Sequence, residues 1–227
     1  KEWGQKVVSY FNQDKKLGVL GIAGSAYKGL VPSGWGVEGT KGMEFYNYVQ
    51  AFKYSEKLSI HAYSNTGNVL IQPVVVVDGV WFVTTRIIAS EVKFDDKLFK
   101  GFHCYDLDFC LNVGKNHTIA VAFDILLEHF SEGGYNPAWF YETLKLHDKW
   151  RSELPRCIVD ISQSEKEKIE KRLFKRMLAR LVDWKFEKKY ILNLLKEYIK
   201  YSKTGFMSYL KLRLYFFKFR YFGHSIK

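Results

Sequence analysis

Leu17-Gly18-Val19-Leu20-Gly21-Ile22-Ala23-Gly24 is a short, wholly apolar run punctuated by glycines. No polar residue alternates within it, so it has no face to give to water. Such a run reads as a strand buried on both faces, the kind found in parallel or mixed sheets with helices above and below. Just upstream, Trp3, Val7 and Phe11 recur at four-residue spacing until Asn12-Gln13-Asp14 interrupts them. That spacing predicts the end of a helix over residues 2–12.

Downstream, residues 25–68 are polar and rich in glycine and aromatics, with weak periodicity. They read as a long functional loop, whose Trp35, Tyr46 and Tyr48 serve either as packing or as a mobile lid. Residues 69–85 are dense in β-branched residues and predict two strand-like pieces around a turn at Asp78-Gly79. Tyr105 to Asn112 reads as the first turns of a helix. His117 to Phe123 alternates as a strand, Asp124 to Phe130 continues as a second extended piece, and Ser131-Glu132-Gly133-Gly134 stops it. Pro137 then opens a helix carrying Trp139, Phe140, Leu144 and Trp150, proline being well suited to a first helical turn. Strands alternating with helices around buried strands predict a three-layer α/β unit.

The 227 residues are 47% hydrophobic, 17% aromatic and 26% charged, which excludes disordered, collagen-like and disulfide-scaffold classes. Three scattered cysteines without CxxC spacing suit a reducing compartment. No run of 18 apolar residues spans a bilayer, and no signal-peptide pattern opens the chain. The net charge of +11 is unevenly held: residues 161–227 carry 18 Lys and Arg against 6 Asp and Glu, and residues 1–160 carry 17 against 18. The body is therefore near neutral and the tail strongly basic, predicting an α/β portion over 1–155 and a basic helical appendage over 156–227.

Within the appendage, Ile169, Leu173, Met177 and Leu181 form a four-spaced helical stripe, and Tyr190, Leu194 and Tyr198 with Ile191, Leu195 and Ile199 form a second. Leu210-Lys211-Leu212-Arg213-Leu214 fits either a strand or a helix. Lys and Arg interleaved with aromatics between Phe206 and Phe222 read as a solvated face or as a surface lying on an anionic membrane. Nucleic-acid binding needs the same charge, but zinc spacing, an RNP motif and a recognition-helix arrangement are all missing from the sequence. A cytoplasmic protein held peripherally at the inner membrane face is the expectation.

The chemistry is concentrated between Val74 and Leu154. Val77-Asp78-Gly79-Val80-Trp81-Phe82 is followed by Phe102-His103-Cys104-Tyr105-Asp106-Leu107-Asp108-Phe109-Cys110-Leu111 and then by Leu127-Glu128-His129-Phe130-Ser131. In this order and spacing, the chain resembles the acceptor-side half of GT-A-fold family 2 glycosyltransferases over roughly residues 17–155. The resemblance implies a GT-A-like three-layer sheet with flanking helices. It implies that an Asp-Gly strand floors the sugar site, here Asp78 and Gly79 with Trp81 as a stacking platform and His103 orienting the motif. It also implies that Asp106, with Asp108 beside it, supplies the catalytic base, and that His129 completes a site for Mn²⁺ or Mg²⁺. The family's Glu before the base is Tyr105 here. The family's nucleotide-binding half would precede Lys1, and the opening reads as mid-protein sequence.

The implied activity is transfer of a sugar from a nucleoside-diphosphate-sugar donor to a hydroxyl of a glycan or lipid-linked acceptor. A base must take the hydroxyl proton as oxygen attacks the anomeric carbon, and an aspartate within hydrogen-bond reach serves. The leaving diphosphate needs its charge neutralised, for which a divalent metal is the simplest means. Imidazole suits Mn²⁺ better than Mg²⁺. Each residue also has a plainer reading. Asp106 and Asp108 are about 200° apart around a helix, so they face different sides, and either can be an N-terminal helix charge. His129 aligns with Ile125 and Leu127 as a core histidine, and Asp78-Gly79 alone is a turn. A noncatalytic glycan-binding or scaffolding module of the same fold is the alternative function.

Overall fold

The computed structural model describes residues 2–37, 40, 42–54, 56–131, 134–202 and 206–222. Its elements in chain order begin with α1 (Trp3–Gln13), β1 (Leu17–Gly21), β2 (Ala23–Ser25), β3 (Tyr27–Lys28), β4 (Glu44–Ala51), β5 (Ile60–Ser64), β6 (Ile71–Val74), β7 (Val76–Val77) and β8 (Phe82–Thr84). They continue with α2 (Arg86–Glu91), α3 (Tyr105–Val113), β9 (Thr118–Ala122), β10 (Glu128–Phe130), α4 (Pro137–Lys149) and β11 (Arg156–Cys157). The last helices are α5 (Gln163–Asp183), α6 (Lys188–Ser202) and α7 (Phe206–Phe222). The chain is a mixed α/β protein, as the buried run at 17–24 predicts. It divides into two units, Lys1–Lys28 with Gly34–Asp160 and Gly29–Ser33 with Ile161–Lys227.

In the first unit, the apolar run is shared between two sheets. β1 lies in a four-stranded sheet of order β6-β9-β1-β8, and β2 lies in a second sheet of order β10-β4-β2-β7, in which β5 pairs with the far edge of β4. The chain passes from one sheet to the other at Ile22, and again at Val75 between β6 and β7. Both crossing residues are buried. Their polar backbone is kept paired across the switch: Asn47 N donates to the Ile22 carbonyl at 2.9 Å, and Val75 N donates to the Ser25 carbonyl at 2.7 Å. β1 and β9 run parallel, and all of β1 is buried, which is why neither face of this strand carries a polar residue. Gly24 lets β2 approach β7 closely, since a Cβ there would lie 2.5 Å from the Val76 carbonyl oxygen. Leu17, Leu20, Ile22, Ala120, Ala122 and Ile125 form a core cluster against which Val7, Tyr10 and Phe11 of α1 pack.

The segment 25–68 differs from its expectation. Rather than a loop, it holds the antiparallel pair β4–β5, registered from Tyr46 opposite Ser64 to Gln50 opposite Ile60. The period-two signal was carried by polar and aromatic side chains: Phe45 and Asn47 point inward and are buried, with Tyr46 and Tyr48 half-buried between them. Burial of Asn47 is stabilised by the His61 imidazole, 2.8 Å from its Oδ1, and by its own amide bond to the Phe123 carbonyl. The strands expected around Asp78-Gly79 form as β6 with β7 and as β8. Asp124 to Phe130 is extended only at its end, as β10. α4 begins at Pro137 with Asn136 as its cap, the side chain accepting from Trp139 N at 2.8 Å. Glu132 and Gly133 of the expected stop, and Lys1, lie outside the described residues.

In the second unit, α5 opens with a capping box, Ser162 and Glu165 each accepting from the other's backbone N–H. Its expected stripe, Ile169, Leu173, Met177 and Leu181, is buried together with Phe174 and Leu178. Phe174 stacks on Tyr198 of α6 at 4.2 Å. The Glu170 carboxylate accepts from the N–H groups of Leu30 at 2.9 Å and Val31 at 3.2 Å, drawing that short segment onto α5. The 206–222 segment, whose period was open, is helical, with Leu212 and Phe216 inward. Among the described residues no helix is long and apolar enough to cross a membrane.

Candidate functional site

β7 ends at Val77, and the chain turns through Asp78 and Gly79 directly against the first turn of α3. Asp78 N donates to the Ala23 carbonyl at 2.8 Å, which ties the turn to β2. Gly79 N donates to Asp106 Oδ2 at 2.7 Å. A Cβ at Gly79 would lie 2.7 Å from the Tyr105 hydroxyl and 3.2 Å from Asp106 Oδ2. Glycine is thus what allows the turn to seat on the helix start. Cys104, the residue before α3, has φ 70°, a left-handed conformation that is uncommon outside glycine and asparagine.

This geometry sets two carboxyl groups within each other's electrostatic reach. Burial pushes the Asp106 carboxyl above the ordinary range, opposed by the N–H groups of Leu107, Gly79 and Asp106 itself and by the charge of His103. For Asp78, burial and then the Asp106 charge raise the carboxyl to about 7, opposed by the N–H groups of Gly79 and Val80 and by the Trp35 indole. Two like charges in one poorly solvated place resist joint ionisation, so around neutral pH the pair retains a proton much of the time. Asp106 lies at the positive end of α3 and its charge is what acts on Asp78, so charge is favoured on Asp106. The resulting arrangement is one proton acceptor beside one proton donor.

Aromatic side chains border the pair. The Tyr105 phenol is raised by burial and by the charges of Asp106 and Asp78. Tyr48 is raised by burial, then by Asp78, Tyr46, Glu44 and Tyr135, which puts these five side chains in one electrostatic neighbourhood. Trp35 meets Tyr46 edge-on at 6.3 Å, and Tyr46 meets Tyr48 at 6.1 Å. A wall of rings beside carboxyl groups offers an apolar face next to a few hydrogen-bonding oxygens, the composition of a small-molecule site.

His129 is reached through the same wall, its ring edge-on to Tyr48 at 6.1 Å. Its Nδ1 lies 3.3 Å from Gln50 Oε1, an acceptor, so the ring carries its proton there and presents a lone pair at Nε2. Burial lowers its pKa, which also favours the neutral ring. Among the described residues, however, no three His, Cys, Asp or Glu side chains come together as a group able to hold a metal ion.

Of the remaining predicted residues, Asp108 and Trp81 lie apart, whereas His103 stays within electrostatic reach of Asp106. Asp108 faces the C-terminal end of α4: its carboxylate, 1% exposed, accepts from Trp150 Nε1 at 2.7 Å and pairs with Lys149 Nζ at 2.8 Å. Lys149 also reaches Asp95 at 2.8 Å, so Asp108 fastens α3 to α4 and to the 95–99 loop. Trp81 packs against the core cluster and edge-on to Trp3 at 5.9 Å. His103 lies beside Phe102, with its charge felt at Asp106. Cys104 and Cys110 are buried, and burial raises both thiols, to about 11 for Cys104, so neither is a ready nucleophile. From the sequence, Trp35 reads only as packing or lid and Tyr105 only as a departure at the position before the base, and Gln50 carries no signal of its own. An aromatic-rich strand beside an Asp-Gly turn was the available signal.

Residues 1–172 match a family model described as Glycosyltransferase like family. No curated protein and no solved structure matches the chain.

Proposed function

The chain belongs to the glycosyltransferase-like family, and from that premise we propose that it moves a sugar from a nucleoside-diphosphate-sugar donor to a hydroxyl of a glycan or lipid-linked acceptor, with Asp106 as the general base. The observation that carries this reading is the pairing of Asp106 with Asp78 across the Gly79 N–H. In the reaction, the acceptor oxygen forms a bond to the anomeric carbon, its proton passes to the Asp106 carboxylate, and the bond from the anomeric carbon to the diphosphate oxygen breaks. The nucleoside diphosphate leaves with that electron pair.

Each neighbour has a physical task in this scheme. Gly79 N–H fixes one Asp106 oxygen and so aims the other. Burial makes the carboxylate a stronger base than an exposed aspartate, bringing its basicity nearer to what proton removal at neutral pH demands. Asp78, with its carboxyl raised to about 7, holds the proton that keeps a second negative charge away from the base and can donate it in a hydrogen bond to an acceptor oxygen. Trp35, Tyr46 and Tyr48 supply the apolar wall for the acceptor sugar.

The test is Asp106→Asn, assayed for transfer with a panel of uridine, guanosine and thymidine diphosphate sugars. Loss of a positioned base lowers turnover by roughly 10²–10⁴-fold. The expected result is that loss with an unchanged unfolding midpoint. Near-normal turnover in the folded variant overturns the assignment, and failure of the parent protein to bind or turn over any nucleotide sugar favours a glycan-binding module.

A further inference from the structure

Helix α7 is apolar on two opposite sides. Leu212 and Phe216 are buried in the second unit, as an amphipathic helix requires, yet the opposite side carries Met207, Leu214, Tyr221 and Phe222, which expose between 59% and 71% of their surface. Between these residues stand Lys211 and Lys218, both exposed. The positions 207, 211, 214, 218 and 221 alternate in steps of four and three. At 3.6 residues per turn they and Phe222 fall within a stripe about 100° wide.

The stripe alternates apolar and cationic residues along a helix of 17 residues that contains no Asp or Glu. Among the described residues neither Lys211 nor Lys218 has an ion-pair partner. The cations on the flank are used differently: Arg213 lies over the rings of Tyr209 and Phe217, and Lys188 lies over Phe217 and Tyr221. Those contacts hold the aromatic rings at the edge of the stripe. By contrast, the exposed side of α5 is dominated by Lys, Arg and Glu, the ordinary dress of a helix facing water. α7 therefore needs two apolar environments, only one of which the protein core provides.

We propose that the Met207–Lys211–Leu214–Lys218–Tyr221 face of α7 is a docking surface for an anionic lipid bilayer, with the helix lying in the plane of the interface. The apolar side chains enter the headgroup–acyl boundary, and the two lysines, spaced one heptad apart on the same stripe, meet lipid phosphates. The charge complementarity is general as well as local, because residues 161–227 carry 18 Lys and Arg against 6 Asp and Glu. The cations and the length of α7 forbid a spanning helix, and the interleaving of apolar with cationic residues sets it apart from a purely polar nucleic-acid face.

Flotation of the full chain with vesicles tests this, using phosphatidylcholine alone and phosphatidylcholine with 30% phosphatidylglycerol at physiological salt, ~0.15 M. Binding is expected with the anionic vesicles only. The double variant Lys211→Gln, Lys218→Gln weakens that partitioning by about 30-fold, from the usual contribution per cation. Leu214→Ser weakens it by about tenfold or more through lost apolar insertion. The control Lys189→Gln, Lys196→Gln removes the same charge from exposed positions of α6 and leaves most of the binding. All positions are exposed, so unchanged circular dichroism and unfolding midpoints are expected throughout. Equal binding to both vesicle types, an equal loss in the α6 control, or RNA binding without vesicle binding each overturns the proposal.

Discussion

Removing one carboxyl from the buried pair should change the pH dependence of stability in a calculable way. In the folded protein Asp78 binds its proton up to about pH 7, whereas an aspartate in the unfolded chain loses it near 3.9. Between those values the folded state holds more protons than the unfolded state, so raising the pH removes stability. The contribution is fully present below about pH 4 and gone above about pH 7 to 8. From pH 5 to pH 8 the folded group is crossed after about two units, each worth about 1.4 kcal/mol, which sets a ceiling of about 2.7 kcal/mol. Partial access of water to the Asp78 side chain reduces this to about 2 kcal/mol.

Asparagine at position 78 has no proton to lose and never charges, so the repulsion between Asp106 and an ionising Asp78 is removed along with it. The stability of Asp78→Asn relative to the parent should therefore rise by about 2 kcal/mol between pH 5 and pH 8, whatever constant offset the amide introduces. Urea unfolding at four pH values across that window measures it, with equal m-values as the check that the unfolded ensembles match. Parallel stability curves for the two proteins would falsify the coupled pair and, with it, the proton-holding role of Asp78.

Three further outcomes follow from the same contacts. Asp108→Ala removes the acceptor of the Trp150 indole and the partner of Lys149, and should cost about 3 kcal/mol in chemical denaturation; a folded Asp108→Asn protein should keep most of the proposed transfer activity, unlike Asp106→Asn. Gly79→Ala should lower turnover by about tenfold or more while costing only about 1 kcal/mol of stability, because the new methyl displaces the Tyr105 ring and with it the alignment of Asp106. In the second unit, Glu170→Ala removes the carboxylate that accepts from both Leu30 and Val31, with an expected loss of about 2–3 kcal/mol and faster amide exchange at those two residues.

Local pattern carried far in this protein. The four-spaced stripes of α5 and α6, the proline and asparagine that start α4, and the wholly apolar run at 17–24 each announce an element because periodicity and capping are properties of neighbouring residues. The order of Asp78-Gly79, the Asp106 motif and His129 along the chain was enough to suggest the family to which residues 1–172 belong. The β4–β5 pair was missed because its inward positions include Asn47, whose burial is stabilised by His61 and Phe123, partners that lie elsewhere in the sequence. The period of 206–222 was open for a related reason, since α7 carries apolar residues on two sides and so shows no single stripe.

By itself, the sequence determined that α3 would carry Asp106 and Asp108 on different sides, because two residues of helix turn the chain through about 200°. Which side faces the candidate site was decided in three dimensions. Gly79 approaches one side and donates to Asp106 at 2.7 Å, and Trp150 with Lys149 closes on the other and occupies Asp108. The same folding buried Asp78 and set it in the field of Asp106, and burial first, then that charge, raises its carboxyl to about 7. Spacing along a helix follows from covalent geometry, whereas a raised carboxyl requires burial and a neighbouring charge, which residues distant in the chain supply only once it has folded.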